Sequence, residues 1–256
     1  MPKNFQLFYI DRKNGDGNKM KKYVFLDLDG TITESAVAIL SSAEYALKQL
    51  GIEDDDPEKK RAFIGPPLTV GFGELYGLSG EKLEQAIKLY REYYVGGGYK
   101  DSPLYDGIEE TLLKLKNEGR ILMMVTSKPK YIAQLVAEYH GMEKYLSAVI
   151  GPVEEKTKAG KEDLIEAAAK KVIEMEGVET KVIRVLDEPS LSVEDIYREA
   201  VMVGDRRYDM EAAKKLGLLA IGALYGYGTR EELDEAGADY IAEKPEDIAT
   251  YIYKVE

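Results

Sequence analysis

The stretch YVFLDLDGTIT, Tyr23–Thr33, decides the fold. Its first part, Tyr23–Leu28, is a short apolar run of the kind that forms a strand covered on both faces. It ends on two carboxylates, Asp27 and Asp29, and then turns at Gly30. Residues two apart on a strand project to the same side, so Asp27 and Asp29 face one crevice. A lone Asp-Gly after a strand is usually no more than a turn. The full D-x-D-G-T string behind a β run is far rarer and points to a site.

Further short apolar runs follow at Ile121–Thr126, Ala148–Ile150, Val201–Val203 and Leu219–Leu224. Helical periods lie between them at Ile108–Asn117, Tyr131–Tyr139, Lys161–Met175 and Met210–Leu216. This alternation predicts an α/β fold, a doubly wound parallel sheet with functional groups at the carboxyl ends of its strands. The rhythm breaks over residues 34–106, which read as helices only: Ala36–Gln49, Glu58–Ala62, Gly71–Tyr76 and Glu81–Tyr94. Gly96–Gly98 and Asp106-Gly107 bracket the far end. The expected organisation is a core domain from residues 20–33 and 107–256 with an inserted helical cap domain at 34–106. Hinges are expected near Thr33–Ser35 and Gly96–Gly107. Residues 1–19 read as an N-terminal arm containing a β-like Phe5–Ile10. Gly177–Arg198 also looks surplus, with a β-like Lys181–Leu186 and a helix cap at Ser192. The two β-like segments are expected to add strands at an edge of the core.

Composition narrows the chemistry. The chain has 256 residues, 35 Lys+Arg against 47 Asp+Glu, and a net charge of −12. So acidic a surface repels phosphate backbones, which argues against nucleic-acid binding. It leaves room for a small anionic substrate, because a bound metal reverses the local field. The absence of cysteine excludes disulfides, thiolate metal sites and cysteine nucleophiles. A single histidine, His140, excludes multi-histidine zinc sites, and its place beside Gly141 suits a helix end. Carboxylates, lysines and hydroxyls must carry any chemistry. No segment reaches the ~18 apolar residues of a membrane span. The first residues lack a signal-peptide pattern, so a cytoplasmic protein without membrane partners is expected.

A second carboxylate pair, Asp205 and Asp209, stands in VMVGDRRYD at another strand end. Alone, Asp205 suits a turn and Asp209 a helix start. Four acidic groups converging on one crevice repel one another, so a cation should hold them. An all-oxygen donor set selects a hard divalent ion, Mg2+ above all. A third strand end, ILMMVTSKP, brings the hydroxyls of Thr126 and Ser127 to the crevice. Lys161, in KAGKEDLI, opens a helix; Lys156 and Lys158 compete with it by position.

The order DLDGT, VTSKP, Lys and GDRRYD resembles the haloacid dehalogenase superfamily, and within it the phosphoglycolate-phosphatase-like hydrolases with a helical cap after the first motif. IGPPL in the cap and GALYGYGTREELDEAGADYI near the end add to the likeness. Glu34 stands where relatives commonly carry Asp. The resemblance implies a Rossmann-like core and Mg2+-dependent hydrolysis of a small phosphomonoester. Asp27 would be the nucleophile that forms an aspartyl-phosphate, and Asp29 the general acid and base. Thr126, Ser127 and Lys161 would grip the phosphoryl group. Asp27, Asp29 through its backbone carbonyl, and Asp205 would hold Mg2+, with Asp209 orienting the site. A phosphoglycolate-like metabolite is the first expectation for substrate; a 5'-nucleotide is the second, and a sugar-phosphate mutase a more distant alternative. A monomer or homodimer is expected.

Overall fold

The structure, a computed structural model, describes residues 21–153, 159–180 and 191–254. The β-like segments Phe5–Ile10 and Lys181–Leu186, and the competing Lys156 and Lys158, lie outside the described residues.

Six parallel strands make one sheet: β1 (Tyr23–Leu26), β2 (Ile121–Val125), β3 (Ala148–Ile150), β4 (Ala200–Gly204), β5 (Leu219–Ala223) and β6 (Tyr240–Ala242). Their order across the sheet is β3-β2-β1-β4-β5-β6. The chain winds outward from β1 in one direction and then from β4 in the other. The crevice between these two central strands is the switch point at which such sheets bind ligands.

Strand pleating explains why both faces are apolar. On β1, Val24 and Leu26 enter one buried cluster and Tyr23 and Phe25 the other. Valines 201 and 203 of β4 join the first cluster, Ala200 and Met202 the second. Between β1 and β2 the chain forms α1 (Ala36–Gln49), α2 (Pro57–Phe63), the single turn α3 (Leu68–Val70), α4 (Gly80–Gly96) and α5 (Ile108–Asn117). Helix α6 (Lys130–Tyr139) follows β2, and α7 (Lys161–Thr180) and α8 (Val193–Arg198) follow β3. The last helices are α9 (Arg207–Leu216), α10 (Arg230–Glu235) and α11 (Pro245–Lys254). Helices α5, α6 and α11 cover the first face of the sheet; α7, α8, α9 and α10 cover the second.

From α1 to α4 the chain makes helical turns only, as its sequence pattern predicts. One helix differs in kind. Gly71–Tyr76 reads as α-helical, yet Gly71–Leu75 is a π-helical turn. Here a β carbon on Gly71 would lie 2.7 Å from the Phe63 ring, so ring and backbone pack at a distance only glycine permits. Phe63 and Phe72 meet edge to face with centroids 4.9 Å apart, and Tyr90 and Tyr94 stack at 5.9 Å. The two connections to the sheet are pinned to each other: Glu34 N donates to Pro103 O at 2.8 Å and Tyr105 N to Ile32 O at 3.1 Å. His140 ends α6, its ring Nε2 2.8 Å from Ser102 O, and Ser192 caps α8 in a reciprocal box with Asp195. Strand β6 and helices α10 and α11 go beyond the sequence pattern, because a three-residue strand leaves almost no periodic signal. Among the described residues no helix is long and apolar enough to cross a membrane.

Candidate active site

Asp27 is the first residue past β1. Its N–H donates to Val203 O at 2.9 Å, continuing the ladder with β4 and fixing where its side chain emerges. One carboxylate oxygen, Oδ1, accepts the Leu28 N–H at 2.7 Å, and Oδ2 accepts Lys161 Nζ at 2.8 Å. The chain then turns at Gly30, whose φ is +77°. A β carbon there would stand 2.0 Å from Asp205 Oδ2, so the glycine both permits the turn and makes room for the opposing carboxylate.

Asp205 follows β4 and is buried, Oδ2 accepting the Tyr227 N–H at 2.9 Å. Asp209, in the first turn of α9, is buried as well. Its Oδ2 accepts the Arg206 N–H at 3.3 Å, and its Oδ1 lies 2.6 Å from Lys161 Nζ. Oxygens of Asp27, Asp205 and Asp209 all fall within 4.8 Å of one another. Burial, then the like charges of Asp209 and Asp27, push the Asp205 carboxyl well above the usual carboxylate range. Asp209 is pushed up by burial and by Asp27, with Lys161 opposing. Burial would lower the Lys161 ammonium, but Asp209 and Asp27 outweigh it and hold it above the ordinary lysine range.

Charge balance tests the fit of a metal. Ionised together, three carboxylates against one ammonium would carry two uncompensated negative charges, an excess that adds to burial in pushing Asp205 and Asp209 up, and the cluster offers oxygen donors without nitrogen or sulfur ligands. That excess and donor chemistry fit a hard dication, Mg2+ or one like it.

Of the remaining sequence-predicted residues, Thr126 is buried at the end of β2. Its hydroxyl oxygen accepts the Lys128 N–H at 3.2 Å, which leaves its own proton for another acceptor. Ser127 is exposed. The Asp29 carboxylate stands outside the three-carboxylate cluster and is paired with a lysine that sequence reasoning passed over. Lys128 Nζ lies 2.8 Å from both Asp29 oxygens and 3.0 Å from the Tyr94 hydroxyl of α4. Burial works against the Lys128 charge, yet Asp29 holds its ammonium above the ordinary range. The signal lay in the sequence: Lys128 belongs to the VTSKP string itself. Tyr227 was also missed; besides meeting Asp205, its hydroxyl accepts the Ala36 N–H at the start of α1, at 2.8 Å.

Residues 24–223 match the family model for haloacid dehalogenase-like hydrolases. The chain is 32% identical over 210 residues to a 5'-nucleotidase of Pseudomonas aeruginosa, covering 82% of this chain and 86% of that one. It is 30% identical over 242 residues to a phosphoglycolate phosphatase of Vibrio cholerae, covering 91% of this chain and 96% of that one. A crystal structure from Clostridium acetobutylicum, described as a predicted phosphatase, superposes with a TM-score of 0.77 at 34% identity, covering 92% of this chain and all of that one.

Proposed function

The chain belongs to the haloacid dehalogenase-like hydrolases and is a phosphatase; from that premise we propose that it hydrolyses a small phosphomonoester through an aspartyl-phosphate on Asp27, with Mg2+ bound. The observation that carries the proposal is Lys161 Nζ held between Asp27 Oδ2 at 2.8 Å and Asp209 Oδ1 at 2.6 Å, at the carboxyl ends of β1 and β4.

Asp27 attacks phosphorus in line. The Asp27 oxygen–phosphorus bond forms as the bond to the leaving oxygen breaks; Asp29 enters this step protonated, its pairing with Lys128 given up to the bound substrate, and passes that proton to the leaving oxygen. In the second step Asp29 takes a proton from water attacking phosphorus, inorganic phosphate leaves, and Asp27 is restored. The Leu28 N–H and Lys161 keep the nucleophile from rotating, a saving in orientation made before substrate arrives. The Thr126 hydroxyl and Lys161 face the charge that develops on the phosphoryl oxygens, with Ser127 beside them. Asp27, Asp205, Asp209 and the Asp29 backbone carbonyl are the groups that would hold Mg2+, which when bound neutralises charge on the phosphoryl group. Residues 34–106 act as a cap that excludes water and selects the substrate.

For the substrate, phosphoglycolate or a close analogue is the first choice. Lys128 supports it, a buried cation beside Asp29 where a second anionic group of a small substrate would otherwise lack a partner. A 5'-nucleotide is the second reading, favoured by the Pseudomonas aeruginosa relative. The test is a screen of phosphoglycolate, nucleotides, sugar phosphates and an aryl phosphate, with Mg2+ and with a chelator. The expected result is chelator-sensitive turnover with phosphoglycolate ahead. Turnover indifferent to the chelator contradicts the metal, and a kcat/KM for a nucleotide more than about tenfold above phosphoglycolate, about 1.4 kcal/mol, reverses the choice of substrate.

A further inference from the structure

Arg206 follows Asp205 immediately, and its side chain leaves the core. Its Nε donates to Glu232 Oε1 at 2.9 Å, and its Nη1 donates to the backbone carbonyl of Ile64, 142 residues away, at 2.9 Å. Glu232 is a firm base for this reach. Its Oε1 also accepts the Arg207 N–H at 2.9 Å, and its own N–H meets the Thr229 hydroxyl that caps α10, at 3.1 Å. Ile64 is buried at the end of α2, so its carbonyl is carried by packed structure. The next residue, Gly65, has φ +107°, and a β carbon on it would stand 2.3 Å from Arg206 Nη1. Glycine is needed there twice, for the backbone and for the guanidinium. Pro66 and Pro67 follow and stiffen the turn, so a pull on Ile64 moves the whole turn.

We propose that Arg206 is a positioning residue, a latch that fastens the Ile64–Pro67 turn of the cap to the loop carrying Asp205 and Asp209. Closing the cap and ordering the carboxylate loop are then one event. A guanidinium suits this because Nε and Nη1 donate in different directions from one rigid plane, serving Glu232 and Ile64 at once; a lysine ammonium, a compact point charge on a shorter stem, does not reproduce that fork. The kinetic part of the inference rests on the phosphatase reading; the geometric part does not.

Lack of cysteine makes the test clean. Lys88→Cys on α4 and Lys215→Cys on α9, at side chains 77% and 70% exposed, take a pair of spin labels for double electron–electron resonance. With Arg206 intact the distance distribution should be narrow. In Arg206→Ala it should broaden toward longer distances, with Arg206→Lys between the two. In the phosphatase assay KM should rise about tenfold in Arg206→Ala while kcat stays within about twofold, because only the closed fraction binds substrate productively. Should Arg206→Ala fail to fold, Gly65→Ala attacks the same contact from the cap side and should broaden the distances in the same way. An unchanged distribution in the folded variant overturns the latch, as does a fall in kcat with KM and distances unmoved. If wild-type protein turns over no phosphomonoester, the phosphatase reading fails, and the distances still decide the latch.

Discussion

The crevice between β1 and β4 and the aromatic interior of residues 34–106 are built on opposite principles. The crevice gathers Asp27, Asp205 and Asp209, with one lysine bridging Asp27 and Asp209 alone, against the grain of electrostatics. The helical insertion packs Phe63, Phe72, Tyr90 and Tyr94 ring on ring, and the Tyr94 hydroxyl at its edge meets Lys128. Like charges in the first region cost stability in exchange for chemistry. In the second, burial supplies the stability that holds helices α1 to α4 together. Removing a group from the first should therefore harm turnover and spare the fold, and the reverse should hold for the second.

The largest effect expected is in Asp27→Asn. An amide is no nucleophile at phosphorus, so turnover should fall by about 10⁴-fold or more, while the melting temperature stays level or rises as like-charge repulsion is relieved. A loss of melting temperature to match the loss of turnover would break the contrast. Next is Phe72→Ala, which empties a fully buried ring site. Denaturant melts should show a loss of about 3–5 kcal/mol, with kcat reduced far less than in Asp27→Asn.

The third prediction concerns the metal. Mg2+ at a hundred times its Kd should stabilise the wild-type protein by about 2.7 kcal/mol. In Asp205→Asn that gain should largely vanish, although the metal-free variant is at least as stable as wild type because a buried carboxylate is gone. Thermal melts with and without Mg2+ read both. The smallest effect sharpens substrate choice: Lys128→Met should lower kcat/KM for phosphoglycolate about tenfold more than for an aryl phosphate that carries no carboxylate. Equal losses on both substrates would leave Lys128 a partner of Asp29 alone.

The same contrast explains what was legible in the sequence. The sheet and its carboxylate ends could be read because a strand that is buried on both faces must be apolar along its length, and polar residues at its end stand out. Asp27, Asp29, Asp205 and Asp209 announced themselves in this way. Thr126 could be placed once the strand ends were known, whereas Lys161 stood in the sequence as one of three lysines, with Lys156 and Lys158 competing by position. Lys128 stood within the VTSKP string, but its partners, like those of Arg206, could not be read there: each meets a residue distant in sequence, Tyr94 in one case and Ile64 in the other. No local periodicity records such a meeting. The π-helical turn at Gly71–Leu75 was hidden as well, where Gly71 packs against the Phe63 ring from a different helix.

In the proposed reaction Asp27 carries the phosphoryl group. Rapid acid quench of the wild-type protein during turnover with Mg2+, followed by reductive trapping and mass spectrometry of the peptide spanning Tyr23–Thr33, tests it most directly. A modification on Asp27 that appears at the rate of the first step is expected, and none in Asp27→Asn. A quenched wild-type protein that turns over substrate with Asp27 unmodified, or with the phosphoryl group on another residue, would contradict it.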